Sequence, residues 1–91
     1  MTNRGTGRPL PDGPGNFYPL TLVTDIRDGA RLVDEEQFGP VLPIIRYSDL
    51  EQAIANANRL DVGLGASVWS SDTQRAAEVA TRLQAGTVWV N

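Results

Sequence analysis

The chain has no cysteine, no histidine and no lysine among its 91 residues. Each absence removes a class of chemistry. Without cysteine there is no disulfide and no thiolate nucleophile. Without histidine there is no imidazole base, and the two absences together leave no zinc site of the usual ligand set. Without lysine there is no Schiff base and no P-loop lysine. Long apolar runs are also missing, so no segment reads as a membrane span. The N-terminus lacks an apolar signal core, and the compartment expected by default is the cytoplasm. Positive charge is scarce too, with a formal net charge of −3. That argues against a nucleic-acid backbone as partner, which needs a basic face, and against docking on anionic lipid.

What remains is 41% hydrophobic and 21% charged, the balance of a soluble globular domain rather than a disordered segment. The length allows one domain at most. A chain of this size buries roughly 60–70% of its unfolded surface, so its core is marginal.

Residues 1–16 hold Gly5, Gly7, Pro9, Pro11, Gly13, Pro14 and Gly15 and are expected to be flexible or extended. Residues 17–26 are rich in β-branched and aromatic types and read as a strand, with Pro19 at its end. Asp28-Gly29 marks a turn, and residues 30–33 suit a single helical turn. Residues 41–47 are apolar on both faces, as in a covered parallel strand; Pro43 suggests that the regular ladder begins after it. Ser48-x-x-Glu51 reads as a capping box ahead of an apolar stripe at Leu50, Ala53, Ile54 and Ala57, with the helix ending near Arg59 and Gly63 and Gly65 beyond. Residues 66–69 form a short strand. Ser71-x-x-Gln74 is a second capping box, followed by a stripe at Ala76, Val79, Ala80 and Leu83. Gly86 occupies the place of a helix-terminating glycine, and residues 87–90 make the last strand. This alternation predicts an α/β fold: a mainly parallel sheet of about four strands with two to three helices. So few helices do not easily cover both faces of such a sheet, which reads as a piece of a larger domain.

The most chemistry in the fewest residues lies at Asp34-Glu35-Glu36-Gln37-Phe38-Gly39-Pro40-Val41. By residue type alone, the acidic pair is either a solvated helix end or a carboxylate placed to accept both hydroxyl protons of a vicinal diol. Three adjacent carboxylates on a helix do not converge on one point, so no metal site is expected. Trp69 and Trp89 read as core. Ser67, Ser70 and Ser71 have no base within reach, and Ser71 reads as an N-cap. Asn56 and Asn58 read as helix surface and helix end, and Asn91 as a frayed terminus. No residue is assigned a catalytic role.

The segment Glu35-Glu36-Gln37-Phe38-Gly39-Pro40-Val41 resembles the Glu-Glu-x-Phe-Gly-Pro-Val segment of NAD(P)-dependent aldehyde dehydrogenases. Phe17-Tyr18-Pro19-Leu20-Thr21-Leu22-Val23 is similar to the strand ahead of it in that family. Gly63-Leu64-Gly65-Ala66-Ser67-Val68-Trp69 and Gly86-Thr87-Val88-Trp89-Val90-Asn91 resemble two strands that follow, and Gly7-Arg8-Pro9-Leu10 resembles one that precedes. All come in the family's order and at its spacings. The resemblance implies the C-terminal part of the catalytic domain, with residues 17–91 an incomplete α/β module and 1–16 a segment ahead of it. It implies cofactor contacts at Glu36, on the hydroxyls of the nicotinamide-side ribose, and at Phe38, beside that ribose and the nicotinamide. It also implies NAD or NADP as the family's cofactor and oxidation of an aldehyde to a carboxylic acid as its reaction.

The family enzyme is several times longer. Its nucleotide-binding domain, nucleophilic cysteine and general-base glutamate lie upstream of anything resembling Gly7. The expectation is therefore a dehydrogenase fragment, inactive alone and binding no cofactor tightly, that self-associates or joins an upstream dehydrogenase chain. The alternative is a non-catalytic module that keeps the α/β fold to bind itself or a partner.

Overall fold

In a computed structural model, residues 14–91 and the backbone of residues 2–4 are described. The chain divides into two units, residues 1–46 and 47–91. The first carries β1 (Thr2–Arg4), β2 (Thr21–Thr24), the single helical turn α1 (Arg31–Asp34) and β3 (Val41–Pro43). The second carries α2 (Leu50–Asn58), β4 (Gly65–Val68), α3 (Thr73–Ala80) and β5 (Thr87–Val90).

In the first unit β2 is central, antiparallel to β1 and parallel to β3, with Thr21 opposite Val41 and Val23 opposite Pro43. Its side chains alternate as a half-covered strand requires. Thr21 and Val23 are buried, whereas Leu22 is exposed. The buried Thr21 hydroxyl is satisfied by donating to the Pro19 carbonyl at 2.9 Å. β2 starts just after Pro19, as its missing donor dictates, and ends where Asp25 turns left-handed at φ 55°. Gly29 sits at φ 92° in the turn before α1, a conformation that glycine adopts without strain.

In the second unit β4 and β5 are parallel, paired from Gly65 opposite Thr87 to Val68 opposite Val90, and α3 connects them and packs on both. The predicted stripe of α3 faces inward: Ala76 is 1% exposed, and Val79, Ala80 and Leu83 are half-buried. On α2, Ile54 is buried and Leu50 and Ala53 half-buried, but Ala57 is exposed. Asn58 clamps the segment after α3, donating to the Arg82 carbonyl at 2.9 Å and accepting from the Gln84 amide at 2.8 Å.

The α/β class and parallel pairing are as the sequence predicts, but the strands fall in two sheets, β1-β2-β3 and β4-β5. Several local expectations are corrected. The β2–β3 ladder runs up to Pro43 rather than starting after it. The Pro40 carbonyl and the Ile44 amide bond to β2, at 2.8 Å each, so by alternation the nitrogen of Pro43 faces away and its missing donor costs no ladder bond.

Both helix caps lie one residue later than the serines suggest. Asp49 accepts from the amides of Glu51 and Gln52, and Asp72 from that of Arg75. A carboxylate at a helix start also meets the positive end of the helix dipole. Gly86 does not terminate α3, whose C-cap is Thr81. It sits at a close approach instead: a Cβ there would stand 3.0 Å from the Leu64 carbonyl oxygen. Trp69 and Trp89 are not core, being 74% and 59% exposed. β4 alternates so that Ala66 and Val68 are half-buried while Gly65 and Ser67 face out. Trp69 continues the outward set, and Trp89 pairs with Ser67.

The expectation for residues 1–16 falls largely on residues 5–13, outside the described residues. The core is sparse. Among the described residues only Val23, Ile26, Ile54 and Ala76 are buried apolar side chains.

Candidate functional site

The acidic cluster and the turn after it span the stretch from α1 to β3. Each end is anchored. The Glu35 amide closes α1 on the Arg31 carbonyl at 2.9 Å, and the Pro40 carbonyl accepts from Thr21 of β2 at 2.8 Å.

The three adjacent carboxylates, alike in sequence, have different surroundings. Asp34 accepts from the Gly29 amide at 3.1 Å, which ties α1 back to its entry turn. Glu35 takes both hydrogen bonds of a bidentate pair with Arg31, at 2.8 and 3.1 Å. That hydrogen bonding pushes the Arg31 guanidinium further above its ordinary value. Glu36 enters no side-chain hydrogen bond or ion pair among the described residues. Its two oxygens are left to solvent or to a ligand. Phe38, two residues on, is 95% exposed. The structure thus places Glu36 and Phe38 on one short loop, both pointing away from the packed interior. An ionised carboxylate with free lone pairs can accept two hydroxyl protons, and an unpacked phenyl ring can cover the face of a sugar or a planar heterocycle. No group of three or more His, Cys, Asp or Glu among the described residues is arranged to hold a metal ion.

The other candidate residues serve the fold. The Ser67 hydroxyl accepts from the Trp69 indole at 3.0 Å, and that of Ser70 from the Asp72 amide at 3.1 Å. Asn91 is not frayed. Its amide donates to Val68, its carboxamide oxygen accepts from the Ser70 amide at 2.9 Å, and its carboxamide nitrogen donates to the Ser70 carbonyl at 3.0 Å. The side chain copies one peptide unit and lengthens the β4–β5 ladder. Sequence reasoning passed over Gln37, whose carboxamide bridges Gly39 and Val41. A glutamine two residues ahead of a Gly-Pro pair was the available signal. An open cleft of about 820 Å³ lies where the chain leaves β2 and β3, lined by Thr24 to Asp28 and Ile44 to Arg46. It follows β3 in the chain, whereas the Glu36–Phe38 loop precedes it.

Comparison with known proteins identifies the family. The model of the aldehyde dehydrogenase family matches residues 3–91. The chain is 43% identical over 90 residues to a succinate-semialdehyde dehydrogenase (NADP+) of Mycobacterium avium, covering 99% of this chain and 19% of that protein. A lactaldehyde dehydrogenase structure superposes with a TM-score of 0.86 at 34% identity, over 98% of this chain and 18% of the other. Betaine aldehyde dehydrogenase from Staphylococcus aureus, solved with NAD+, gives 0.76 at 38% identity, over 84% and 15%. The chain spans about a fifth of the length of the curated relatives it matches, 19% for the Mycobacterium avium protein. No helix among the described residues is long and apolar enough to cross a membrane. On its sequence, its fold and the match along nearly its whole length, this chain belongs to the aldehyde dehydrogenase family.

Proposed function

We propose that the chain provides one wall of the cofactor site of an aldehyde dehydrogenase. Glu36 accepts from the hydroxyls of the nicotinamide-side ribose, and Phe38 packs beside that ribose and the nicotinamide. The carrying observation is that Glu36 alone of the three adjacent carboxylates has no side-chain partner among the described residues. The residues present fit the group: a free carboxylate for the diol and an exposed ring for the sugar and heterocycle. When bound, NAD or NADP supplies the hydride acceptor for oxidation of an aldehyde to a carboxylic acid. This chain's residues bind and orient. The nucleophile of that reaction is a thiolate, and none of the 91 residues is a cysteine.

It follows that these 91 residues by themselves do not oxidise aldehydes and hold NAD no tighter than millimolar. One ribose contact does not offset the cost of ordering a dinucleotide. Leu20, Leu64 and Trp69 are 85%, 94% and 74% exposed, and apolar surface of this kind recruits partners. We place the working protein in the cytoplasm, associated with a further copy or with an upstream dehydrogenase chain that carries the thiolate.

A second reading rests on the same exposed side chains: a non-catalytic module that keeps the fold for association alone. One experiment separates the two. Purified chain is assayed for aldehyde-dependent NADH formation and sized by light scattering, alone and with an upstream chain of the same family. No turnover alone, a mass above the monomer and turnover on mixing are expected. Turnover by the pure chain overturns the inactivity. A stable assembly that gains no turnover on mixing favours the association module.

A further inference from the structure

The Glu36–Phe38 loop is held by one side chain. Gln37 Nε2 donates to the Val41 carbonyl at 2.6 Å, and Gln37 Oε1 accepts from the Gly39 amide at 2.7 Å. Only one orientation of the carboxamide satisfies both bonds; the flipped group would set donor against donor and acceptor against acceptor. Few side chains suit the position. Asparagine offers the same two atoms on a stem one methylene shorter. Glutamate keeps an acceptor for Gly39 but offers no donor to Val41. Alanine offers neither.

The bridge ties down backbone that the anchors at Glu35 and Pro40 leave open, at Gly39 and Val41. Because Pro40 O and Ile44 N face β2, alternation along β3 turns the Val41 carbonyl to the outer edge of the sheet, where Gln37 covers it. A Cβ on Gly39 would stand 3.3 Å from Gln37 Oε1, so the glycine lets the amide reach its acceptor. Phe38 lies between Gln37 and Gly39, inside the short ring that the Gly39 bond closes. Its ring, 95% exposed, gains nothing from packing, so between the backbone anchors at Glu35 and Pro40 the bridge is the side-chain contact that orders it.

We infer that Gln37 is a positioning residue for the pair Glu36 and Phe38: by bridging Gly39 and Val41 it holds the loop in its ligand-ready shape before the cofactor arrives. This rests on the cofactor reading above. It extends that reading to a residue that touches no ligand and that the family segment leaves open. A loop ordered in advance loses less freedom on binding, and the difference is read as affinity.

The test is nuclear magnetic resonance on the full 91-residue chain. The Gly39 amide is expected to exchange with solvent about five- to tenfold more slowly than a free glycine, the protection of one modest exposed hydrogen bond. Gln37→Ala abolishes that protection, Gln37→Glu keeps part of it, and the Ile44 amide in the β2–β3 ladder is unchanged in both. NAD titrated into the millimolar range shifts Phe38 and Glu36 signals, while AMP, which lacks the nicotinamide ribose, does not. Gln37→Ala weakens the NAD response about fivefold or more, and Gln37→Glu restores part of it.

An unprotected Gly39 in the parent chain overturns the inference. So does an NAD response that survives Gln37→Ala undiminished, which would make Gln37 a brace without a positioning role. A protected Gly39 with no NAD response in the parent chain sinks the cofactor reading and the positioning role with it. The parent NAD titration therefore tells the two failures apart.

Discussion

The two units of the chain use their polar side chains differently. In residues 47–91, several polar groups that look unassigned in sequence are absorbed by the fold. Asp49 and Asp72 cap helices, Asn58 clamps residues 82–84, Asn91 extends a ladder and Glu51 pairs with Arg82. In the loop of residues 35–41, Gln37 is used in the same way, but Glu36 and Phe38 are left over, one unpartnered and the other 95% exposed. A group that the fold does not use, held on a loop the fold has fixed, is the physical signature of a contact waiting for its other half. On the proposed cofactor reading, these left-over groups are the ones that meet the ligand.

The largest expected effect tests whether the second unit is packed as described. Ile54 is its most buried large side chain, at 7% exposure. Ile54→Ala should destabilise the unit by about 2 kcal/mol, the low end for such truncations because the core around it is thin. Urea titration followed by helical circular dichroism reads α2 and α3. A loss below about 0.5 kcal/mol would mean that α2 is not held by this side chain, and the contrast between the units would lose its footing.

A smaller effect sharpens the comparison directly. Asn58→Ala removes two hydrogen bonds to backbone 24 and 26 residues away and should cost about 1 kcal/mol, because those backbone groups regain water. Glu36→Gln and Phe38→Ala should leave stability within about 0.5 kcal/mol of the parent chain, as substitutions of unpartnered exposed groups do. If Phe38→Ala destabilises as much as Asn58→Ala, the ring is structural and the argument from left-over groups fails.

How far the sequence could take this depended on the range of each interaction. The strand and helix alternation, the stripe of Ala76, Val79, Ala80 and Leu83, and the Glu36–Phe38 segment were legible because periodicity and motifs are local. The caps were off by one because Ser48-Asp49 and Ser71-Asp72 each offer two capping side chains in succession, and only the backbone path decides which reaches the amides. The tryptophans were misjudged because a strand pattern tells which residues share a face, not whether anything covers that face. Asn91 was misjudged because its lock is Ser70, 21 residues away. Gln37 was within reach, since its acceptor bond spans only two residues.

The smallest effect concerns the pair that links the first turn of α2 to the segment after α3. Arg82 Nη1 donates to Glu51 Oε1 at 2.9 Å, and Nη2 makes a second contact to Oε2. Hydrogen bonding to Arg82 holds the Glu51 carboxyl below its ordinary value. A carboxylate depressed in the folded state stabilises above its unfolded pKa, and that contribution disappears as pH falls through the lower, folded value. Both side chains are largely solvated, 46% and 68% exposed, so screening keeps the gain small. Parent chain and Glu51→Gln should therefore differ slightly in melting temperature at neutral pH and converge as the solution is made acidic, below the ordinary carboxylate range. Added salt should shrink the neutral-pH difference as well. A gap that persisted in acid would mean that the contribution of Glu51 lies in the packing of its stem and not in its charge, and the pair would then be no measure of how the second unit uses its polar groups.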